Sequence, residues 1–181
     1  MSLRKSRRSA KEAGFTLIET MVAIVILTIG LFSTAALMST SVNTTAKSHY
    51  MSTAAMLATE KLEDLDRYNK NDPAVVNAGG SLAADNVGYF DSIQISSNNG
   101  VISETTTTGG ASTSYTQTPA AGIVVTPGAG LPPPTPDSLI FDRRWTVTPD
   151  VPVVGVRTVT VLVTLQDSVN PVKFQMSVVR P

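Results

Sequence analysis

The sequence predicts an α+β fold in which a long N-terminal α-helix, transmembrane at first and amphipathic afterwards, packs on a C-terminal antiparallel β-sheet head. Three observations carry this reading. Residues 15–38 hold 24 positions with a single charge, Glu19. Beyond them the apolar residues keep a helical spacing as far as Tyr68. The last forty residues or so alternate apolar and polar side chains in three short runs, the period of half-buried strands.

Composition narrows the chemistry. Of 181 residues, 42% are apolar and 15% charged, with no cysteine and one histidine, His49. The length suits one modest domain plus an extra element. Without cysteine there is no disulfide scaffold, thiol nucleophile, iron–sulfur cluster or Cys-based zinc site. Fourteen bases balance fourteen acids, but unevenly. Residues 1–14 carry Arg4, Lys5, Arg7, Arg8 and Lys11 against Glu12 alone. A chain basic only at one end lacks the broad positive face that nucleic acid requires, so no nucleic-acid partner is expected.

The apolar run comes first in the chain. As helix, 24 residues span about 36 Å, enough for a hydrocarbon core of about 30 Å. The basic flank predicts a cytoplasmic amino end, with residues beyond Met38 outside. A secretory signal would be shorter and would end at a small-residue cleavage site, whereas here the helical pattern continues. A plain membrane anchor explains length and flanks but not a carboxylate five residues into the run. A charge at such depth costs at least about 2.5–3.5 kcal/mol and usually has a partner.

The string Gly14-Phe15-Thr16-Leu17-Ile18-Glu19, between a basic leader and an apolar helix, resembles the processing site of type IV prepilins. The resemblance implies that a prepilin peptidase/methyltransferase cuts between Gly14 and Phe15, removing residues 1–14, and methylates the new amino terminus on Phe15. It makes Glu19 the glutamate at the fifth mature position, an assembly residue. It also implies the type IV pilin fold. The expected partners are membrane lipid before assembly, then an inner-membrane assembly platform and other major and minor pilins in the filament. The expected location is the inner membrane, single-pass with its amino terminus cytoplasmic, and then the cell-surface pilus. A new α-amine on Phe15 is largely protonated at neutral pH, and methylation to a secondary amine keeps that charge. In a stack of subunits it can meet the Glu19 carboxylate of a neighbour and fix axial register, even at some cost in affinity.

The next stretch continues the helix. Met51, Ala55, Ala58, Leu62 and Leu65 form one stripe, widened by Ala54 and Leu57. Gly30 and Ser39–Thr45 are its weakest points, and Pro73 closes it after Asn69, Asn71 and Asp72. The helix is thus expected over residues 15–68, with its transmembrane part over 15–38.

Residues 69–181 are expected to form the head, with a variable loop region over 77–138 and a β-meander over 143–179. Tyr89–Ser96 reads as a strand, Ser97–Gly100 as a turn and Val101–Thr108 as the return strand. Gly109–Pro119, poor in apolar residues, reads as an exposed loop, and Leu131–Pro136 as a polyproline connector. Trp145 and Val147, then Val159, Val161, Val163 and Leu165, then Val172, Phe174, Met176 and Val178 supply one apolar face for the helix stripe to cover.

Arg144–Thr148 followed by Thr158–Val161 resembles the PilV-like minor pilins, and Glu19–Ala23 with Ile29–Leu31 suits both them and the I-type minor pseudopilins of type II secretion. The absence of cysteine departs from the loop-closing disulfide common in major pilins. The expected function is a minor pilin that primes assembly or forms part of the tip complex; the alternatives are a type II pseudopilin or a tip adhesin. No catalytic motif, cofactor or metal site is expected. His49 falls on the helix, away from any nucleophile pattern. Asp137, Asp142 and Asp150 match no calcium-loop spacing and read as surface carboxylates. Arg143 and Arg144 read as solvated charges flanking the buried ring of Trp145.

Overall fold

The computed structural model describes residues 16–69, 71–118, 122–135, 137–166 and 171–181. Gly14 and Phe15 lie outside the described residues.

Helix α1 spans Leu17–Arg67 and runs unbroken through Gly30 and Ser39–Thr45. The hydroxyls that weaken helix propensity are turned inward onto the helix itself: Thr28 donates to the Val25 carbonyl at 2.8 Å, Ser33 to Ile29 at 2.9 Å and Thr40 to Ala36 at 3.0 Å. A hydroxyl satisfied by its own backbone needs no water, so it is tolerated in an apolar segment. The chain divides into two compact units that meet at Thr44 and Thr45. In the first, the apolar side chains are exposed all round, from Leu17 at 78% to Met38 at 74%. The helix is long and apolar enough to cross a membrane, and none of its most apolar stretch is buried within the protein.

In the second unit, Thr45–Pro181, the rest of α1 lies on a sheet. Its buried residues are Ala54, Leu57, Ala58, Leu62 and Leu65. Met51 and Ala55 are only half-buried, so the contact face is turned toward Ala54 and Leu57 relative to the expected stripe. Arg180 closes the helix end, donating to the carbonyls of Leu65 at 2.6 Å, Asp66 at 2.9 Å and Tyr68 at 3.3 Å. A cation on otherwise unpaired C-terminal carbonyls is favoured by hydrogen bonding and helix dipole alike. Pro73, expected to end the long helix, instead opens a single turn α2 (Pro73–Val76) capped by Asp72, whose carboxylate accepts from the Ala74 N–H at 2.9 Å.

Among the described residues the eight strands are β1 (Gly79–Gly80), β2 (Phe90–Asn98), β3 (Val101–Thr108), β4 (Ala111–Thr118), β5 (Gly122–Ala129), β6 (Ser138–Pro149), β7 (Arg157–Leu165) and β8 (Lys173–Arg180). They form one antiparallel sheet in the order β5-β4-β3-β2-β6-β7-β8, with β1 pairing the far end of β6. Asn99 and Gly100, both at positive φ, make the two-residue turn between β2 and β3.

The expected loop Gly109–Pro119 is corrected by the structure. Gly109 and Gly110, at φ 58° and 89°, make a second two-residue hairpin turn, and Ala111–Thr118 is strand β4. Within residues 77–138, β2 and β3 form the hairpin expected there, and β4 and β5 extend the sheet by two further antiparallel strands. The apolar alternation that betrays a strand is missing because hydroxyls replace it: Ser103 bonds Thr116 at 3.3 Å and Thr105 bonds Ser114 at 2.8 Å across the β3–β4 pair. β-Branched threonine suits the pleat without needing a core.

The core joins Ala54, Leu57, Ala58, Leu62 and Leu65 of α1 to Ile93, Phe141, Trp145, Val147, Val159, Val161, Val163, Leu165 and Val172. Phe141→Ala is expected to cost about 3–5 kcal/mol, whereas Tyr115→Ala, at a ring 46% exposed on β4, should cost under about 1 kcal/mol. Urea denaturation of the full chain in detergent, followed by Trp145 fluorescence, measures both.

Candidate functional site

At the amino end, Thr16 opens α1. Its carbonyl accepts from the N–H groups of Glu19 at 3.0 Å and Thr20 at 3.2 Å, and its Oγ1 accepts from the Glu19 N–H at 3.3 Å. Glu19 is therefore the third residue of the helix, in its first turn. Thr16-Leu17-Ile18-Glu19 has the capping-box pattern, and a carboxylate here also faces the positive end of the helix dipole. This gives Glu19 a local reason to be present, beside any neighbour it meets. The signal was in the sequence, as a threonine three residues before a glutamate at the head of an apolar run.

A second polar centre lies under the other end of α1. Arg143 of β6, 2% exposed, donates from Nε to Asp91 Oδ1 at 2.8 Å and from NH2 to Asp91 Oδ2 at 3.0 Å. Its NH1 donates to the Leu57 carbonyl of α1 at 3.0 Å. Lys61 of α1 donates to Asp91 Oδ2 at 3.1 Å, and its ammonium sits 3.9 Å from the Trp145 ring centroid. Asp91, fully buried on β2, thus binds two cations, one from the sheet and one from the helix. This corrects the expectation that Arg143 is solvated. Arg143 shares the core-facing parity of Trp145 and Val147, Asp91 that of Ile93 and Ile95, and Lys61 lies between Ala58 and Leu65 on the buried face. Periodicity alone points all three charges inward.

Beside this centre is a cleft of about 220 Å³ lined by Glu60, Lys61 and Asp64 of α1, Asp91 and Arg143 of the floor, and Thr106, Thr108, Ala111, Thr113 and Tyr115 of the β3–β4 hairpin. Glu104, directly across the ladder from Tyr115, has its carboxyl raised above the ordinary glutamate range by burial. Glu60 pushes the same way and Arg143 opposes. Folding therefore favours the protonated form: the contribution is fully present below the ordinary glutamate pKa and is lost as pH rises through the raised one.

The other polar residues singled out in the sequence have ordinary partners. Asp142 is buried, not a surface carboxylate, and accepts from Ser92 at 3.0 Å and from Gln166 at 2.8 Å. Asp150 accepts from the Gly155 N–H at 2.8 Å. Among the described residues no group of three or more His, Cys, Asp or Glu side chains is placed to hold a metal ion. Arg144 pairs with Asp85 at 2.6 Å and lies over the Phe90 ring, and His49 is exposed on α1.

Residues 9–35 match the family described as the prokaryotic N-terminal methylation motif. The amino-terminal segment is type IV prepilin-like. No curated protein and no solved structure matches the chain. The match covers the basic leader's end, Gly14, Phe15, the Thr16 cap, Glu19 and most of the apolar run. The prepilin-like motif brings with it a context of peptidase processing and pilin or pseudopilin assembly, and the exposed apolar helix behind it fits a membrane anchor. Proteins of this kind are structural rather than enzymatic.

Two results are expected from the polar centre. Asp91→Ala strands two cations in the interior and should cost about 3–5 kcal/mol of unfolding free energy, whereas Lys61→Met, which leaves Asp91 paired with Arg143 and keeps an aliphatic stem on Trp145, should cost less. Glu104→Gln should raise the melting temperature at pH 7, with the gain over the parent vanishing below about pH 4. Denaturant titration checks the first and calorimetry across pH the second.

Proposed function

We propose that this chain is a minor type IV pilin. The observation that carries the reading is the methylation motif over residues 9–35 running directly into a helix whose first turn holds Glu19. The precursor enters the cytoplasmic membrane through residues 15–38 with its basic leader inside. A prepilin peptidase removes residues 1–14 between Gly14 and Phe15, and Phe15 is methylated. The head folds outside the membrane, and the subunit enters the fibre through its apolar helix, priming assembly or joining the tip complex. It is a substrate of processing and a structural part, not an enzyme.

Physical chemistry supports the role of Glu19. A carboxylate in an apolar helix bundle is costly unless paired, and the cationic amine of Phe15 on a neighbouring subunit is a partner that cleavage itself creates. The local cap and the intersubunit pair are separable. Glu19→Gln keeps a residue type that the capping-box pattern admits, while removing the charge. Cleavage of Glu19→Gln and Glu19→Ala should be unchanged. Both should be several-fold depleted from sheared fibres relative to the membrane pool, as read by immunoblot. Normal incorporation of Glu19→Gln would reduce the residue to a helix cap. Co-purification with a secretion apparatus instead of a pilus would move the chain to the pseudopilins, which share every amino-terminal feature.

A further inference from the structure

The geometry points to the cleft between α1 and the β3–β4 hairpin as a binding site for a neutral carbohydrate, one sugar ring of a glycan. The inference goes beyond the minor-pilin reading and does not rest on it, because every lining residue lies in the second unit of the chain.

Three features select the ligand class. The cleft, about 220 Å³, is the size of a small ring rather than of an extended chain. Its charges are of both signs and are fixed in place. Lys61 and Arg143 are held in the floor by Asp91, while the Glu60 and Asp64 side chains stand half-exposed at the helix rim. Anions meet the rim carboxylates and cations meet the two floor cations, so neither sign of small ion is well matched. A hydroxyl both donates and accepts. A neutral polyol can donate to Glu60 and Asp64 and accept from Lys61 while leaving the charges where they are. The third feature is the wall. Thr106, Thr108 and Thr113 offer further hydroxyls, and Tyr115, 46% exposed, offers a flat ring on which the C–H face of a pyranose can lie. Polar groups held rigidly around an aromatic platform match the anatomy of a small-molecule site.

Two more observations favour a site over a solvated notch. α1 is tied down over β2 and β6 by the Asp91 centre, and among the described residues the helix-side face of β4 and β5 stays largely exposed. On that face Ile102, Tyr115, Ile123 and Val125 are exposed in neighbouring rungs of the ladder, and Val125 lies directly across from Tyr115. The wall beside the cleft is therefore apolar enough to receive the non-polar flank of a second sugar.

Saturation-transfer NMR on the full chain in phosphocholine micelles, which carry no sugar, tests the proposal with methyl glycosides of glucose, galactose, mannose and N-acetylglucosamine. Transfer to at least one glycoside is expected. Tyr115→Ala should weaken that binding about fivefold and Asp64→Asn about threefold, each with the melting temperature lowered by no more than about 4 °C. No transfer to any glycoside, equal transfer to Tyr115→Ala, or displacement of the sugar by phosphate or by arginine at equal concentration would overturn it. Because fibre assembly plays no part in the measurement, its failure leaves the minor-pilin reading standing, and failure of that reading leaves the site untouched.

Discussion

The Asp91 carboxylate, sealed between helix and sheet, is the contact around which the head is organised. It takes both nitrogens of one arginine fork from β6 and the ammonium of a helix lysine, and the same arginine reaches the Leu57 carbonyl of α1. Ala54 and Ala58 give the helix a smooth face that could settle on the sheet in several rotations. The ion centre selects one of them. Burying three charges is not a cheap way to gain stability, and an apolar replacement of similar volume can be as good or better. What such a centre supplies is register: slide or turn the helix by one residue, and Lys61 loses Asp91 and its place over Trp145 together.

The two ends of α1 thus obey opposite rules. Toward the carboxy end the helix is held by a buried ion centre, an apolar core and the Arg180 clamp on its last carbonyls. In the first unit nothing within the described residues covers it, and its apolar side chains stand exposed through Met38. Such a surface is stable only in lipid or against other apolar helices. Within the stretch that matches the methylation motif, Glu19 in the first turn of α1 is the charge that neither lipid nor apolar packing explains. At that position a carboxylate faces the positive end of the helix dipole.

Much of this was legible in the sequence, for identifiable reasons. The apolar run and the leader are long, one-dimensional signals. The C-terminal strands alternate cleanly because one face is core, and Val159, Val161, Val163 and Leu165 are buried as the period demands. The β3–β4 hairpin was hidden because Thr and Ser do on both faces what apolar residues do on one, although Gly109-Gly110 between two Thr/Ser runs is a recognisable hairpin turn. The Asp91 centre was hidden for a different reason. Charge alone points Arg143 to solvent, whereas its strand parity places it with Trp145 and Val147. The rotation of the helix face toward Ala54 and Leu57 followed from that same pairing, which no helical stripe read alone contains. The cleft, assembled from α1, β2, β3, β4 and β6, has no linear signature at all.

The amino terminus of the protein recovered from fibres decides the account. Mass spectrometry of sheared surface filaments should find a peptide that begins at Phe15, heavier by one methyl group, and none that carries residues 1–14. A chain that keeps its leader and is found only in the membrane fraction would contradict it.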